Sequence, residues 1–86
     1  MSSRIQFYIQ PNEGLGGRSN RVRAIQEELF YLGFLKTNPD GQYGPNTLKA
    51  VKAAQKAYGF EENGIIDVDF ASVLIAECIY KNPKDR

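Results

Sequence analysis

Polar and aromatic side chains that can bind a ligand are concentrated in one short stretch of the sequence, which begins at Asp40 and ends at Thr47. Within it Tyr43 offers an aromatic ring and Asn46 an amide, and Gln55 adds a second amide shortly afterwards. Glycan or peptide binding needs an aromatic face for apolar groups and a few carboxylate or amide partners for polar ones. We therefore predict a ligand-binding site formed by Asp40, Tyr43, Asn46, Thr47 and Gln55.

Each of these side chains also has a purely structural interpretation. Asp40 can brace its own turn, because aspartate readily accepts a hydrogen bond from the backbone two residues ahead. Tyr43 can belong to the core, and Gln55 can tie two parts of the chain together. The sequence alone leaves both interpretations open.

The chain has little with which to catalyse a reaction. It contains no histidine and a single cysteine, Cys78, so neither a nucleophilic triad nor a zinc site of the usual spacing can be built. Cys78 cannot form an internal disulfide, and we expect it to be a small buried hydrophobic residue. The adjacent carboxylates, Glu27 with Glu28 and Glu61 with Glu62, point in different directions on a helix. We predict a non-catalytic protein without cofactor or metal.

Composition and charge restrict the classes of partner. With 86 residues the chain forms one domain at most, and its 11 basic and 10 acidic side chains leave a net charge of +1. This balance creates no field that would draw the protein to nucleic acid or to an anionic membrane. The sequence has no run of 18 apolar residues and no apolar stretch typical of a secretory signal. We expect synthesis in the cytoplasm, and neither nucleic acid nor membrane as a partner.

A degenerate repeat organises the sequence. A helix-like segment, followed by Gly-Phe and then by a turn, occurs twice, and the two turns begin at Asp40 and Asn63. In the first copy Gly44 suits a helix N-cap and Pro45 the first helical position, where the missing N–H of proline costs nothing. In the second copy the turn is preserved but the Gly-Pro pair is not.

Hydrophobic periodicity predicts three helices. They are expected at 20–32, at 45–58, and from residue 67 or 68 to about residue 80. Gly33 supplies a left-handed stop for the first helix, and the second is expected to end at Gly59. The candidate N-caps are Ser19 or Asn20, Gly44, and Asp67.

An extended arm is predicted ahead of the helices. Apolar and polar residues alternate from residue 4 to residue 10, which places Ile5, Phe7 and Ile9 on one side of a strand. The strand needs a partner, either a short stretch inside this domain or a strand of another molecule. These three side chains therefore either pack on the helices or bind a partner. We divide the chain into an arm with a glycine-rich loop (1–19), a three-helix domain (20–80) and a polar tail (81–86).

The order of these motifs resembles a known family. The chain carries Val-x-x-Ile-Gln-x-x-Leu-x-x-Leu-Gly-Phe from Val22, Asp-Gly-x-Tyr-Gly-Pro-x-Thr from Asp40, and Ala-Val-x-x-x-Gln from Ala50. This order is similar to the small three-helix peptidoglycan-binding domain found in bacterial and phage cell-wall hydrolases, and the resemblance covers roughly residues 21–74. It implies a mainly α fold, a three-helix bundle built from a degenerate helix-turn repeat.

The resemblance also implies a function. A non-catalytic module of this kind binds the glycan or the stem peptide of peptidoglycan and targets an associated activity to the cell wall. The alternative is a structural or adaptor protein that uses the same fold for protein–protein contacts or self-association in an assembly such as a phage virion or injection machine. Because no signal peptide is evident, we expect the protein to reach the wall or a virion by another route.

One position differs from the usual pattern of the resembling family, in which a large aromatic residue occupies the place of Ala54. The core volume at Ala54 must then be filled by another side chain, and Phe7 and Phe30 are the candidates. Phe7 in that role would make the N-terminal arm part of the fold.

Overall fold

The computed structural model describes residues 8–12 and 17–81 of the chain. These residues form three helices of 13 residues each, α1 (Asn20–Leu32), α2 (Pro45–Ala57) and α3 (Val68–Tyr80). Two short strands, β1 (Tyr8–Ile9) and β2 (Ile66–Asp67), pair in antiparallel orientation. The prediction of a mainly α three-helix bundle with an extended N-terminal segment is confirmed.

Local chemistry sets both ends of α1, which lie where the sequence predicted them. Ser19, one of the two candidate caps, accepts a hydrogen bond from the N–H of Val22 at 3.3 Å. Gly33 ends the helix with a φ of 92°, a conformation that glycine adopts without a steric penalty. The N–H of Phe34 then bonds back to the carbonyl of Leu29 at 2.9 Å, which closes the last turn.

Helix α2 begins at Pro45, with Gly44 as its N-cap, as the sequence predicted. Proline suits this position because its fixed φ is already helical. The helix ends at Ala57, one residue before the predicted end, because Tyr58 leaves the helical conformation and acts as the C-cap. Gly59 follows with a φ of 82° and turns the chain away.

Helix α3 also begins with a side-chain cap. The carboxylate of Asp67 accepts a hydrogen bond from the N–H of Phe70 at 2.9 Å. An aspartate at this position also interacts favourably with the positive end of the helix dipole. The helix continues to Tyr80, where the sequence predicted its end.

The hydrophobic core draws on every element. Helix α1 packs on both α3 and α2, and the strand pair closes one side. None of the helices in the described ranges is long and apolar enough to cross a membrane. The buried apolar side chains are Ile9, Val22, Ile25, Leu29, Leu35, Tyr43, Ala50, Val51, Ala54, Ile66, Phe70, Ala71 and Leu74.

The N-terminal strand finds its partner inside the domain. Ile9 pairs with Ile66 and is completely buried, so its side chain has no surface to offer to another molecule. Ile5 and Phe7, the other two residues of the predicted partner-binding edge, lie outside the described residues. Phe30 is about half exposed, so the expectation that it fills core volume is wrong.

Candidate ligand-binding site

A buried glutamine of α1 holds the first turn of the repeat. The Oε1 atom of Gln26 accepts hydrogen bonds from the N–H groups of Asp40 at 2.9 Å and Gly41 at 2.7 Å. Its Nε2 atom donates to the carboxylate of Asp40 at 3.0 Å, to the carbonyl of Gln42 at 3.0 Å and to the hydroxyl of Thr47 at 2.9 Å. Since Gln26 is only 1% exposed, these bonds are shielded from water, and they fix the turn against α1 and α2.

A second glutamine does the same for the second turn. Gln55 of α2 accepts a hydrogen bond from the N–H of Gly64 at 3.0 Å. It donates to the side chain of Asn63 at 3.1 Å and to the carbonyl of Ile65 at 3.0 Å. The sequence analysis missed the role of Gln26, although a glutamine four residues after a valine in both repeat units was an available signal.

The first residue of each turn also braces the turn itself. Asp40 accepts a hydrogen bond from the N–H of Gln42, and Asn63 accepts one from the N–H of Ile65, both at 2.9 Å. The hydrogen bond from Gln26, followed by that from the backbone of Gln42, keeps the pKa of Asp40 below its usual value. Asp40 is exposed at the surface and is therefore a carboxylate at neutral pH.

Tyr43 connects the two turns through the core. Its ring is completely buried, and its hydroxyl donates a hydrogen bond to the carbonyl of Gly64. Burial raises the pKa of this hydroxyl, so it stays protonated and remains a donor. The carbonyl of Tyr43 accepts a hydrogen bond from the N–H of Asn12 at 2.7 Å. Tyr43 therefore presents no aromatic face to a ligand in this structure.

The two repeat units differ where their helices begin. Asp67 caps α3 with its side chain, whereas Gly44, at the equivalent position before α2, has no side chain to do so. Two residues of the second unit, Asp67 and Phe70, thus stand where the first unit has Gly44 and Thr47. The first N–H groups of α2 therefore receive no acceptor from an N-cap side chain.

A polar cleft lies beside this start of α2 and has a volume of about 270 Å³. Carboxylate, amide and hydroxyl groups line it, which suits a neutral ligand rich in hydrogen-bonding groups. Besides Gly44 and Pro45, its lining consists of Thr37, Asn38, Asp40, Gln42, Asn46 and Thr47.

Two of the five predicted site residues, Asp40 and Asn46, are exposed and line the cleft together. Thr47 also lines it but is 4% exposed and bonded to Gln26, so it forms part of the cleft frame. Tyr43 and Gln55 are buried away from it. Gln55 lines a separate depression of about 110 Å³ at the second turn.

A groove next to the cleft was not predicted from the sequence. It has a volume of about 400 Å³ and shares Thr37 and Asn46 with the cleft. Phe34, Lys36 and Lys49 form its distinctive lining, together with small residues of α2. Because Phe34 and Lys36 follow α1 in the chain and meet α2 only in three dimensions, no sequence motif joins them.

The remaining electrostatic feature lies between α1 and α3, away from the cleft. One carboxylate oxygen of Glu28, Oε1, is buried without a hydrogen-bond partner, and desolvation, followed by the charge of Glu27, raises the pKa of Glu28 to about 7. The thiol of Cys78 lies 3.8 Å from the carbonyl of Glu28. Burial, then Glu28 and Glu77, raises the pKa of Cys78, which favours the protonated thiol over the reactive thiolate.

The cleft, the helix-turn repeat and the bundle define a small binding module. Residues 18–74 match the model of the family described as "Putative peptidoglycan binding domain". The chain belongs to this family, and it is a peptidoglycan-binding module. The resemblance seen in the sequence is thereby confirmed.

The comparison with solved structures agrees with this assignment of the fold. The crystal structure of the SleB N-terminal domain superposes with a TM-score of 0.76 at 22% sequence identity. The alignment covers 88% of this chain and 99% of that chain. At this identity the likeness shows the shared fold, a three-helix bundle. No curated protein matches the chain.

Proposed function

We propose that the chain binds peptidoglycan through the polar cleft beside the start of α2, does so without catalysis, and holds an associated activity at the cell wall. The observation that carries the proposal is the uncapped first turn of α2, which opens into a cleft bordered by Asp40 and Asn46. The other two helices begin with the side-chain caps Ser19 and Asp67. Among the three helices of the described ranges, the one beside the cleft thus begins without a side-chain cap.

The chemistry of the cleft suits an amino sugar. The amides of Asn38 and Asn46 can both donate to and accept from an N-acetyl group, and the carboxylate of Asp40 can accept from sugar hydroxyls. The lowered pKa of Asp40 keeps that carboxylate ionised, which strengthens such hydrogen bonds.

The buried network behind the cleft supports binding by holding it in one shape. Gln26 fixes both Asp40 and Thr47, so the exposed groups are already positioned before a ligand arrives. A site that is pre-ordered loses less conformational entropy on binding. We therefore assign Gln26, Tyr43 and Thr47 to the frame of the site and Asp40 and Asn46 to ligand contact.

The proposal of a non-catalytic role rests on the available side chains. The sequence has no histidine, and the pKa of the thiol of Cys78 is raised. The carboxylate of Asp40 has a lowered pKa, which makes it a poor general acid near neutral pH. The module thus supplies attachment, and a wall-modifying activity would come from an associated enzyme.

Co-sedimentation with insoluble peptidoglycan sacculi tests the proposal. We expect the protein to pellet with sacculi and Asn46→Ala to weaken pelleting several-fold. Asn20→Ala is the matched control, since Asn20 is also an exposed asparagine in the first turn of a helix but lies outside the cleft lining. Equal pelleting of both variants would place the binding site elsewhere, and no pelleting of the parent protein would overturn the proposal.

The same incubation tests the absence of catalysis. We expect no soluble muropeptides to be released from sacculi over many hours. Release above that of a sample without protein would contradict the non-catalytic role. A repeat with Cys78→Ala would then show whether the thiol takes part.

A further inference from the structure

The groove beside the cleft is lined by lysines and, among the described residues, by no acidic side chain. We call it the lysine groove; it continues along α2 into a depression of about 360 Å³. The residues that define it are Phe34, Lys36, Thr37, Asn46, Lys49 and Lys52.

None of the described residues that line the groove and its continuation is acidic, and Asp40 lines only the adjoining cleft. Helix α2 carries Lys49, Lys52 and Lys56 but no aspartate or glutamate, whereas α1 and α3 both contain carboxylates. The lysines that do belong to the groove have no ion pair within the described part of the chain. Lys81, by contrast, lies 3.9 Å from Glu77. A protein with a net charge of only +1 therefore presents a local positive surface at the groove.

An aromatic wall makes the lysine groove amphipathic. Phe34 is partly buried and packs edge to face against Tyr58, with ring centroids 5.8 Å apart and planes at 74°. This contact holds the ring of Phe34 in place. Ala50 and Ala53 line the groove as well and add small apolar surface. The groove thus combines an apolar wall for methyl groups with cations for carboxylates.

We propose that the lysine groove binds the carboxylate-bearing stem peptide of peptidoglycan while the polar cleft binds the sugar to which that peptide is attached. This inference rests on the proposed function. A stem peptide is rich in alanine and carries several carboxylates, which matches the apolar wall and the lysines. The cleft and the groove share Thr37 and Asn46, so a peptide leaving a sugar in the cleft enters the groove directly.

The test uses soluble ligands of defined chemistry. The wild-type protein is titrated with a muramyl peptide that has free carboxylates, with the same compound amidated at those carboxylates, and with a peptide-free oligomer of the sugars. We expect the amidated compound to bind several-fold more weakly than the free acid. The affinity of the free acid should also fall with added salt, because exposed charges are screened.

Substitutions locate the effect. Lys36→Gln and Lys49→Gln should each lower the affinity for the free-acid muramyl peptide by about two- to fivefold, as expected for the loss of one exposed ion pair. Neither substitution should change the affinity for the peptide-free oligomer. Lys56→Gln is the matched control, because Lys56 lies on the same helix but does not line the groove. Equal weakening by all three substitutions would reflect net charge alone and would overturn the proposal.

The remaining outcomes separate this inference from the proposed function. Equal affinity for the free and amidated peptides, with binding to the peptide-free oligomer intact, would overturn the proposal that the lysine groove binds the stem peptide. The proposal that the polar cleft binds the sugar would be unaffected. Failure of every compound to bind, together with no pelleting on sacculi, would overturn both. Inorganic polyphosphate that binds as tightly as the muramyl peptide, with the same lysine dependence, would make the groove a general anion site and overturn the peptide assignment.

Discussion

The hydroxyl of Tyr43 donates a hydrogen bond to the carbonyl of Gly64, and this bond joins the turn of the first repeat unit to the turn of the second. The bond is completely buried with the tyrosine ring. The two turns are otherwise held by separate glutamines, Gln26 and Gln55. Tyr43 thus couples two local structures into one core.

Removing the Tyr43 hydroxyl should destabilise the fold without removing the binding site. We expect Tyr43→Phe to lower the free energy of unfolding by about 1–3 kcal/mol, because the carbonyl of Gly64 loses a buried donor. Tyr31→Phe is the control, since its hydroxyl bonds to the carbonyl of Lys81 at the exposed surface, and it should change little. Urea unfolding of the two variants measures both changes in the free energy of unfolding. Lost pelleting on sacculi by a folded Tyr43→Phe protein would contradict this expectation and show that binding depends on the hydroxyl.

The two glutamines should differ in their contribution to stability. Gln26 also bonds to the hydroxyl of Thr47, whereas the equivalent position in the second unit is Phe70, which cannot accept such a bond from Gln55. We expect Gln26→Ala to lower the free energy of unfolding by about 2–4 kcal/mol and Gln55→Ala by less. Denaturant titration of both variants under the same conditions shows which substitution lowers the free energy of unfolding more. A larger loss for Gln55→Ala would contradict the ranking.

Stability should fall as the pH rises from about 5 to about 7. The pKa of Glu28 is raised from 4.5 to about 7 in the folded protein, so the folded state keeps a proton that the unfolded chain releases. The stabilisation is therefore complete below pH 4.5 and lost above pH 7. Because the side chain is partly exposed, we expect about 1–2 kcal/mol rather than the full value of the shift.

The control for this pH dependence is a pair of neighbouring substitutions. Glu28→Gln should flatten the dependence between pH 5 and pH 8, since glutamine does not titrate. Glu27→Gln should keep most of it, because desolvation, the larger cause of the raised pKa of Glu28, remains when the charge of Glu27 is removed. Thermal unfolding at several pH values measures the effect. A Glu28→Gln protein that still loses stability as the pH rises would assign the dependence to another group.

Two glycines with nearly the same backbone conformation should respond differently to alanine. Gly41 has a φ of 80° and Gly59 a φ of 82°, so both substitutions carry the strain of a left-handed residue, about 1 kcal/mol. A Cβ on Gly41 would also lie 3.1 Å from the backbone nitrogen of Ser19, whereas one on Gly59 meets nothing within 4 Å.

We therefore expect Gly41→Ala to lower the free energy of unfolding clearly more than Gly59→Ala. The contact with Ser19 adds to the strain because Ser19 both caps α1 and donates its own N–H to the carbonyl of Gly41 at 2.9 Å. Equal losses in urea unfolding would mean that this backbone contact relaxes without cost.

The sequence predicted those features that short-range chemistry determines. Ser19, Gly33 and Asp67 act on neighbours within a few residues, so the helix boundaries follow from local caps and periodicity. The burial of Tyr43 and the role of Gln26 depend on contacts between segments distant in the chain. Sequence reasoning had to leave a structural and a ligand-binding interpretation of Tyr43 open, because an aromatic residue in a turn is compatible with both.

The candidate site was predictable to the same extent. Asp40 and Asn46 lie together at the cleft because one turn and the adjoining helix start carry them, as the motif indicated. The lysine groove was not predictable, because the packing of the segment after α1 against α2 brings Phe34 to Lys49. The strand partner of Ile9 was left open for the same reason, since Ile66 lies far along the chain.

The replacement of Thr47 by Phe70 in the second repeat unit affects how the module holds the wall. Phe70 is completely buried against Phe60, and the depression at the second turn, about 110 Å³, is smaller than the cleft of about 270 Å³ at the first. Under the proposed function the module therefore binds through one turn and uses the other as support. A single weak contact is released and re-formed quickly. An enzyme tethered by one such module would move across the murein surface between contacts, and firm anchoring would require several modules in tandem.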